Sequence, residues 1–213
     1  FIPVGGGGLL AGVAAYVKHL HPATRIIGVE VEGSNCMDAA LRADKRVKLP
    51  LETLDLFADG VSVAQAGALP FKIARKYVDE IVVVNVDEIC AAIKDVFEDT
   101  RGVSEPAGAL AIAGMKRYLA DNSGLSSVVA IVSGANVNFD RLRHISERAE
   151  VGEDREAVLA VTIDEAQGSF LKFCRALGKR SITEFNYRYA DTTGAHIYVG
   201  LGVASKEDRL SVV

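Results

Sequence analysis

Apolar residues in the first two thirds of the chain alternate between short continuous runs and stretches with helical spacing. The segments Ile26–Val31, Ile81–Val86 and Val128–Val132 are rich in β-branched residues and are almost uninterrupted by polar side chains. Strands of a parallel sheet that is covered on both faces have this pattern. The pattern therefore predicts three buried parallel strands with helices between them, which is an α/β arrangement.

The segments between these runs carry the signals of helices. Asp87 is a suitable N-cap residue, and Pro106 stands where a helix can begin, with no further proline in Ala107–Leu119. Apolar residues after Asp87 recur at helical spacing, namely Ile89, Ile93, Val96 and Phe97. We expect one helix after each of these two start signals.

The pattern changes near Glu150. The stretch Glu147–Glu156 is rich in charge and contains Gly152, so we interpret it as a surface connection between residues 1–149 and residues 150–213. The second unit has the pattern of a strand, a helix and two further strands, Ala157–Ile163, Ser169–Leu177, Thr183–Tyr189 and Ala195–Val203. This α+β unit with the order βαββ is typical of small effector-binding modules, although a fold alone does not establish a function.

One strand of the second unit has aromatic residues at alternate positions. Phe185, Tyr187 and Tyr189 alternate with polar side chains, and strict alternation predicts a half-buried antiparallel strand. Such aromatic residues usually belong to a core or an interface. Contact with an effector is the alternative interpretation.

Composition narrows the classes of protein. Of 213 residues, 49% are apolar and 24% are charged, which allows a substantial core. The formal net charge is −4, from 24 basic and 28 acidic residues, and the basic residues are scattered, so no nucleic-acid partner is expected. The uncharged segment Phe1–Val17 contains Pro3 and four consecutive glycines and is shorter than the roughly 20 residues of a membrane span. We expect a globular, soluble protein without a membrane partner.

The cysteines point to a reducing compartment. Cys36, Cys90 and Cys174 are far apart, odd in number and without metal-ligand spacing. They predict reduced core thiols in a cytoplasmic protein.

The most distinctive local feature is the run Gly5–Gly8, between a short apolar strand and the helical segment Leu9–Leu20. Four glycines allow positive φ and allow several N–H groups to point toward one anion, where the helix N-terminus adds positive potential. We interpret the run as a phosphate cradle. A purely structural turn, which needs only one or two glycines, is the alternative.

Two phosphate ligands are compatible with this run. Gly6, Gly8 and Ala11 loosely match the dinucleotide fingerprint, and Glu30 ends the next strand, about where a ribose-binding acid belongs. An NAD-dependent oxidoreductase is therefore a competing hypothesis. No Walker-type lysine follows the glycines, which argues against a nucleotide triphosphate loop.

A second feature is the segment Ser133-Gly134-Ala135-Asn136, directly after Val128–Val132. A residue at the carboxyl end of a parallel strand lies at the crevice where α/β proteins bind ligands. By itself the segment is equally compatible with an ordinary turn.

Four motifs follow one another along the chain: Gly5–Gly8, Asp59-Gly60-Val61, Glu105-Pro106-Ala107-Gly108-Ala109 and Ser133-Gly134-Ala135-Asn136. In this combination the whole chain resembles the fold type II enzymes that use pyridoxal phosphate (PLP), which have a tryptophan synthase β-like fold. Among them the resemblance is greatest to the biosynthetic threonine dehydratases, because Gly168-Ser169-Phe170-Leu171-Lys172-Phe173 is similar to part of their regulatory region.

The resemblance implies how the cofactor is held. It assigns the cofactor phosphate to Gly5, Gly6, Gly7, Gly8 and the N–H of Leu9. It assigns to Ser133 a hydrogen bond with the pyridine nitrogen, and it places Gly60 and Glu105 in the lining of the pocket. A hydroxyl is much less acidic than a pyridinium, so Ser133 should leave the nitrogen largely unprotonated, which suits elimination of a β-hydroxyl. Glu105 as an acid favoured by a helix dipole is the alternative for that residue.

The resemblance also bears on metal binding. Some relatives bind a cation near the position of Glu30 and use a second acid a few residues further on. That second position is Cys36 here, a soft ligand that is poorly matched to Mg²⁺ or K⁺. We therefore expect no metal site.

The implied reaction is deamination of L-threonine to 2-oxobutanoate and ammonia, the first step of isoleucine biosynthesis. The Schiff-base lysine of the family lies upstream of the glycine loop, and Phe1–Val213 contains no such segment. Lys72 and Lys172 are expected to be ordinary surface lysines. We therefore assign no catalytic residue, and we expect a fragment, inactive alone, that joins the later part of a catalytic domain to the start of a regulatory domain.

For the second unit, the resemblance implies an ACT-like module with isoleucine as inhibitor and valine as antagonist, in a homotetramer. Phe185, Tyr187 and Tyr189 are the candidate effector contacts. Two alternatives remain besides the NAD enzyme: another fold type II enzyme such as serine dehydratase or serine racemase, and a non-catalytic regulatory protein that binds an amino acid.

Overall fold

The computed structural model describes residues 1–153, 155–189 and 194–212. The chain divides into two compact units, Phe1–Ala149 and Glu150–Val213. The first unit contains a parallel sheet and the second an antiparallel sheet.

The strands of the first unit are β1 (Ile2–Pro3), β2 (Ile27–Val31) and β3 (Glu80–Val84). Its helices are α1 (Gly8–Leu20), α2 (Cys36–Arg42), α3 (Ala68–Tyr77), α4 (Val86–Thr100), α5 (Pro106–Asp121) and α6 (Leu142–Gly152), and α6 crosses the boundary between the units. Short 3₁₀ turns cover Leu51–Thr53, Asp59–Val61 and Phe139–Arg141. The strands are parallel in the order β1-β2-β3, which confirms the predicted α/β class.

Helices cover both faces of this sheet because alternate residues of β2 face different helices. Val29 and Val31 belong to a core with α4 and α5, whereas Gly28 faces Leu10 of α1. Gly114 of α5 has no Cβ, and a Cβ there would overlap Val29. The missing side chain therefore lets α5 lie directly on β2.

One predicted strand is wrong. In the described part of the chain no strand forms over Val128–Val132, and Val129 and Val132 are 72% and 47% exposed. The N-terminal amine of Phe1 donates to Val129 O at 2.6 Å, and Ile131 N–H donates to Phe1 O at 3.1 Å. These bonds have the pattern of a parallel ladder. The next bond of this ladder would need an N–H on residue 3, and Pro3 has none.

The start of α4 also differs from the prediction, since Asn85 and not Asp87 is the N-cap. Glu88 N–H donates to Asn85 Oδ1 at 3.0 Å, and Asn85 N–H donates to Glu88 Oε2 at 2.7 Å. This reciprocal pair is a capping box, which satisfies two N–H groups that Asp87 alone would leave without partners. Asp87 instead accepts a 2.6 Å hydrogen bond from Arg148. The helix predicted after Pro106 is confirmed, with this proline in its first turn.

The stretch Glu147–Glu156 is not wholly a surface connection, because α6 extends to Gly152. Ile145 and Ala149 are four residues apart and both are buried, so they form the apolar stripe of an amphipathic helix. Glu147, Arg148 and Glu150 therefore lie on a helix and not in a loop.

The second unit contains β4 (Glu156–Asp164), α7 (Ser169–Leu177), β5 (Ile182–Tyr189), β6 (Gly194–Gly202) and α8 (Lys206–Leu210). The predicted βαββ order is confirmed, and the antiparallel strands have the spatial order β4-β6-β5. Phe173 and Leu177 of α7 pack on Ile197, Val199 and Leu201 of β6. The core therefore lies between α7 and one face of the sheet.

The prediction of a half-buried antiparallel strand over Thr183–Tyr189 is correct for the strand but wrong for its burial. The strand pairs with β6 as expected, but Phe185 and Tyr187 are 41% and 40% exposed. Since β5 lies at the edge of the sheet, α7 covers its aromatic side only in part.

Candidate functional site

The tetraglycine loop connects β1 to α1. Gly7 has a φ of 89°, in the left-handed region, and a Cβ at this position would overlap Met37. The first hydrogen bond of the helix runs from Ala11 N–H to Gly7 O at 2.9 Å. The N–H groups of Gly8 and Leu9 therefore have no acceptor within α1 and are available to an anion.

The loop lies in backbone contact with the second motif. A Cβ on Gly5 would be 3.0 Å from Cα of Val61, so the loop and the Asp59–Val61 turn touch without a side chain between them. A Cβ on Gly60 would in turn be 3.0 Å from Cβ of Ala107, in the first turn of α5. Close approach at these two glycines brings the first three motifs together.

The third and fourth motifs are also joined. Glu105 N–H donates to Gly134 O at 3.2 Å, and the buried Ser104 hydroxyl donates to the same oxygen at 3.0 Å. A Cβ on Gly108 would overlap this oxygen, and a Cβ on Gly134 would overlap the Glu105 carboxylate. The four motifs that are dispersed in the sequence thus form one continuous surface.

Ser133 follows a segment that pairs in parallel with Phe1, just before β1. The two hydrogen bonds of Phe1 place it opposite Ala130, so Val4 and Ser133 are each three residues beyond a paired position. Parallel chains that are paired in this way end at the same edge of a sheet. Ser133 is exposed and therefore accessible to a ligand at that edge.

Glu30 does not face an open crevice. Its side chain is completely buried, and its two carboxylate oxygens accept hydrogen bonds from Met37 N–H at 2.9 Å and Asp38 N–H at 2.8 Å. Burial raises the pKa of Glu30 to about 8, although the two N–H groups favour its charged form. A carboxylate occupied in this way cannot bind a ribose, which removes the residue on which the NAD hypothesis depended.

Two of the three cysteines are buried, as predicted for core thiols, and Cys174 is only partly buried. Cys36 and Cys90 are buried, and all three cysteines are free. Burial, with a smaller contribution from the Glu30 charge, raises the pKa of Cys36 to about 12, and its thiol lies 3.7 Å from Gly5 O. Cys36 therefore supports the glycine loop as a neutral group.

Lys72 and Lys172 are exposed on their helices, as predicted. Within the described ranges, no group of three or more His, Cys, Asp or Glu side chains is arranged to hold a metal ion. None of the helices described is both long enough and apolar enough to cross a bilayer.

The candidate effector residues are in the second unit. Phe185 and Tyr187 stand on β5 with their rings 5.7 and 6.1 Å from the ring of Phe170 on α7. The side chain of Tyr189 lies outside the described residues. Effector contact by these aromatic residues stays a prediction.

The sequence pattern assigned no role to Ser104, Gly108 or Gly134, and these residues make the contacts between the third and fourth motifs. Gly108 and Gly134 lie within two of the four motifs, but the sequence does not show which residues pack against them. Ser104 is a polar residue just before the start of a helix. Its side chain is 1% exposed, and no periodic pattern in the sequence predicts that burial.

Comparison with known proteins agrees with this geometry. Residues 1–134 match the family described as pyridoxal-phosphate dependent enzyme, and the chain belongs to that family. The predicted cofactor class is therefore confirmed. Residues 147–212 match the C-terminal regulatory domain of threonine dehydratase, and the predicted resemblance to the biosynthetic threonine dehydratases is also confirmed.

Three similar proteins illustrate the relationship. The biosynthetic L-threonine dehydratase of Escherichia coli K12 is 56% identical over all of this chain, which spans 41% of that relative. The structure of processed threonine deaminase isoform 2 from Solanum lycopersicum has a TM-score of 0.68 and 46% identity, over 70% of this chain and 43% of that one. Serine racemase from Dictyostelium discoideum has a TM-score of 0.59 and 32% identity, over 65% of this chain and 43% of that one.

Proposed function

We propose that this chain holds the phosphate and ring of PLP in a threonine ammonia-lyase of the biosynthetic type. The observation that supports this most strongly is the convergence of four glycine-containing motifs at the edge where β1 meets α1. The proposed reaction converts L-threonine to 2-oxobutanoate and ammonia, as the first step of isoleucine biosynthesis. The relatives named as threonine dehydratases support this choice of substrate.

The residues present fit a phosphate ester. Gly6 and Gly8 have no atom within 4 Å of an added Cβ, so they border open space, and the first N–H groups of α1 are without intrahelical partners. Backbone N–H groups and the helix dipole together stabilise a dianion. We propose that Gly5–Gly8 and Leu9 bind the phosphate.

The other site residues would orient the ring. When bound, PLP supplies an electron sink for reactions at the α-carbon of an amino acid. Ser133 would donate a hydrogen bond from its hydroxyl group to the ring nitrogen. The proton would stay on the serine oxygen, because an alcohol is a very weak acid. Gly60 and Glu105 would line the pocket, since the close contacts at Gly60 and Gly134 bring both beside the cradle.

Filling the cradle should weaken PLP binding without unfolding the protein. In the full-length gene product that contains this chain, the double substitution Gly6→Ala and Gly8→Ala places two methyl groups in open space. We expect the dissociation constant of PLP to rise at least about tenfold, which corresponds to about 1.4 kcal/mol, while the urea midpoint of the apoprotein does not fall. Equilibrium titration of the apoprotein with PLP measures the first quantity.

Gly12→Ala provides the matched control, because an added Cβ there also meets nothing within 4 Å but lies one turn further along α1. It should leave PLP affinity unchanged. Equal PLP affinity in the double variant and the parent would refute the phosphate cradle. Tight binding of NADH, with no visible absorbance band on adding PLP, would contradict it as well.

The substrate and regulation are tested on the same full-length protein. We expect a higher kcat/KM for L-threonine than for L-serine, measured as formation of 2-oxobutanoate against pyruvate.

We propose that isoleucine inhibits through the second unit and that valine opposes it, in a cytoplasmic homotetramer. Faster turnover or racemisation of serine would favour serine dehydratase or serine racemase, which the likeness to a serine racemase structure keeps as the second candidate.

A further inference from the structure

Ser104 is a buried serine that bridges two of the four motifs. Its side chain is 1% exposed, and its hydroxyl lies 3.0 Å from Gly134 O and 3.1 Å from Glu105 O. It belongs to neither the phosphate cradle nor the ring contacts described above. Its position is set by α5, the helix that lies directly on β2.

The bond to Gly134 controls the segment that contains Ser133. On one side of Ser133, the next backbone anchor in the described chain is the bond from Ile131 N–H to Phe1 O. On the other side it is Gly134 O, which accepts from both Ser104 Oγ and Glu105 N–H. Ser133 therefore depends on Gly134 for its position, since no regular strand includes it.

The contact has little freedom to adjust. A Cβ on Gly108 would be 2.5 Å from Ser104 Oγ and would overlap Gly134 O. The carbonyl of Gly134 is thus seated against the backbone of α5, and the serine hydroxyl fixes its direction. Loss of the hydroxyl would leave one donor, Glu105 N–H, which permits the peptide to pivot.

We propose that Ser104 is a positioning residue that holds the Ser133 hydroxyl in line with the ring nitrogen of the cofactor. This rests on the proposed role of Ser133. Ser104 itself touches neither the cofactor nor the substrate, and it acts through the Gly134 carbonyl.

The test compares PLP with 1-deazapyridoxal phosphate, in which a C–H group replaces the ring nitrogen. In the full-length apoprotein, Ser104→Ala should raise the dissociation constant of PLP about fivefold, as for one misaligned hydrogen bond, and that of the analogue less than about twofold. Ser133→Ala should discriminate between the ligands in the same way. The double variant should show no further loss, because both substitutions remove the same interaction.

Matched variants separate positioning from general support. Ser34→Ala removes another buried serine, whose hydroxyl lies 3.1 Å from Asp55 O, and it should change the affinity for both ligands by the same factor. Ser104→Thr keeps the donor and should restore the preference for PLP. If the alanine variant does not fold, Ser104→Cys, with a weak donor of similar size, should show a smaller loss of the same preference.

Two results would overturn the inference while leaving the proposed function intact. One is a Ser104→Ala variant whose dissociation constants for PLP and for the analogue rise by the same factor. The other is a double variant in which the losses of PLP affinity from the two single substitutions multiply. If Ser133→Ala does not discriminate between PLP and its analogue, the proposed role of Ser133 fails, and the inference fails with it.

Discussion

Replacing Gly108 with alanine is expected to destabilise the protein by about 3 kcal/mol, although alanine is normally the better helix former. The added Cβ would overlap the Gly134 carbonyl oxygen and lie 2.5 Å from Ser104 Oγ. A backbone carbonyl cannot rotate away as a side chain can. Either α5 must move from the sheet or the segment containing Ser133 must move from α5.

The free energy of unfolding of the apoprotein in urea measures this effect. Gly12→Ala is the control, since Gly12 is also a helical glycine but has open space around it. That substitution should stabilise by up to about 1 kcal/mol. We also expect Gly108→Ala to weaken PLP binding, because displaced backbone separates the third and fourth motifs. Equal stability of the two variants would show that the third and fourth motifs do not pack as described.

Replacing Glu30 with glutamine is expected to change how stability depends on pH. Burial raises the pKa of Glu30 from 4.5 to about 8 in the folded protein. Below pH 4.5 the carboxyl group is protonated in both the folded and the unfolded state, so it does not change the free energy of unfolding. As the pH rises toward 8, the unfolded chain loses this proton while the folded protein keeps it, so Glu30 progressively destabilises the fold. Above about pH 8 the penalty is complete.

Glutamine has no such titration, so the free energy of unfolding of Glu30→Gln minus that of the parent should rise between pH 5 and pH 8. The rise should be on the order of 4 kcal/mol from the linkage between pKa and stability. A constant cost of about 1 to 3 kcal/mol offsets it, because the glutamine NH₂ cannot accept from the second of the two N–H groups, Met37 and Asp38.

Urea unfolding at pH 5, 6, 7 and 8 provides the measurement for Glu30. Glu32→Gln is the control, since it removes an exposed carboxylate from the same strand end. It should retain the pH dependence of the parent. A flat difference between Glu30→Gln and the parent over this range would show that the carboxyl group is ionised in the folded protein throughout.

Local signals predicted much of the fold. The start of α5 at Pro106 and the full extent of α7 follow from a proline that fits a first turn and from apolar spacing that ends at Gly178. The capping box of α4 was also visible as an asparagine followed three residues later by Glu88. The prediction of Asp87 as the N-cap missed this signal, because a capping box begins three residues before its glutamate.

Other errors came from interactions that a local pattern does not contain. Val128–Val132 has the composition of a buried strand, but whether a segment becomes a strand depends on the hydrogen-bond donors of its neighbour, and Pro3 of β1 has no N–H. The aromatic side of β5 is exposed because the strand lies at an edge of its sheet. Glu30 resembled a ligand-binding acid at a strand end, but its oxygens bind the backbone at the start of α2.

The class of the sheet, the order of the elements and the glycine-containing motifs can be read from the amino-acid sequence, because they depend on residues that are close together in the chain. The packed fold is needed to show that Gly5, Gly60 and Gly108 are sites of backbone contact and that Ser104 bridges to Gly134. Such contacts join residues that are distant along the chain, and their existence depends on how closely helices and turns approach. A glycine in the sequence shows that close approach is possible, and the packed structure shows what approaches it.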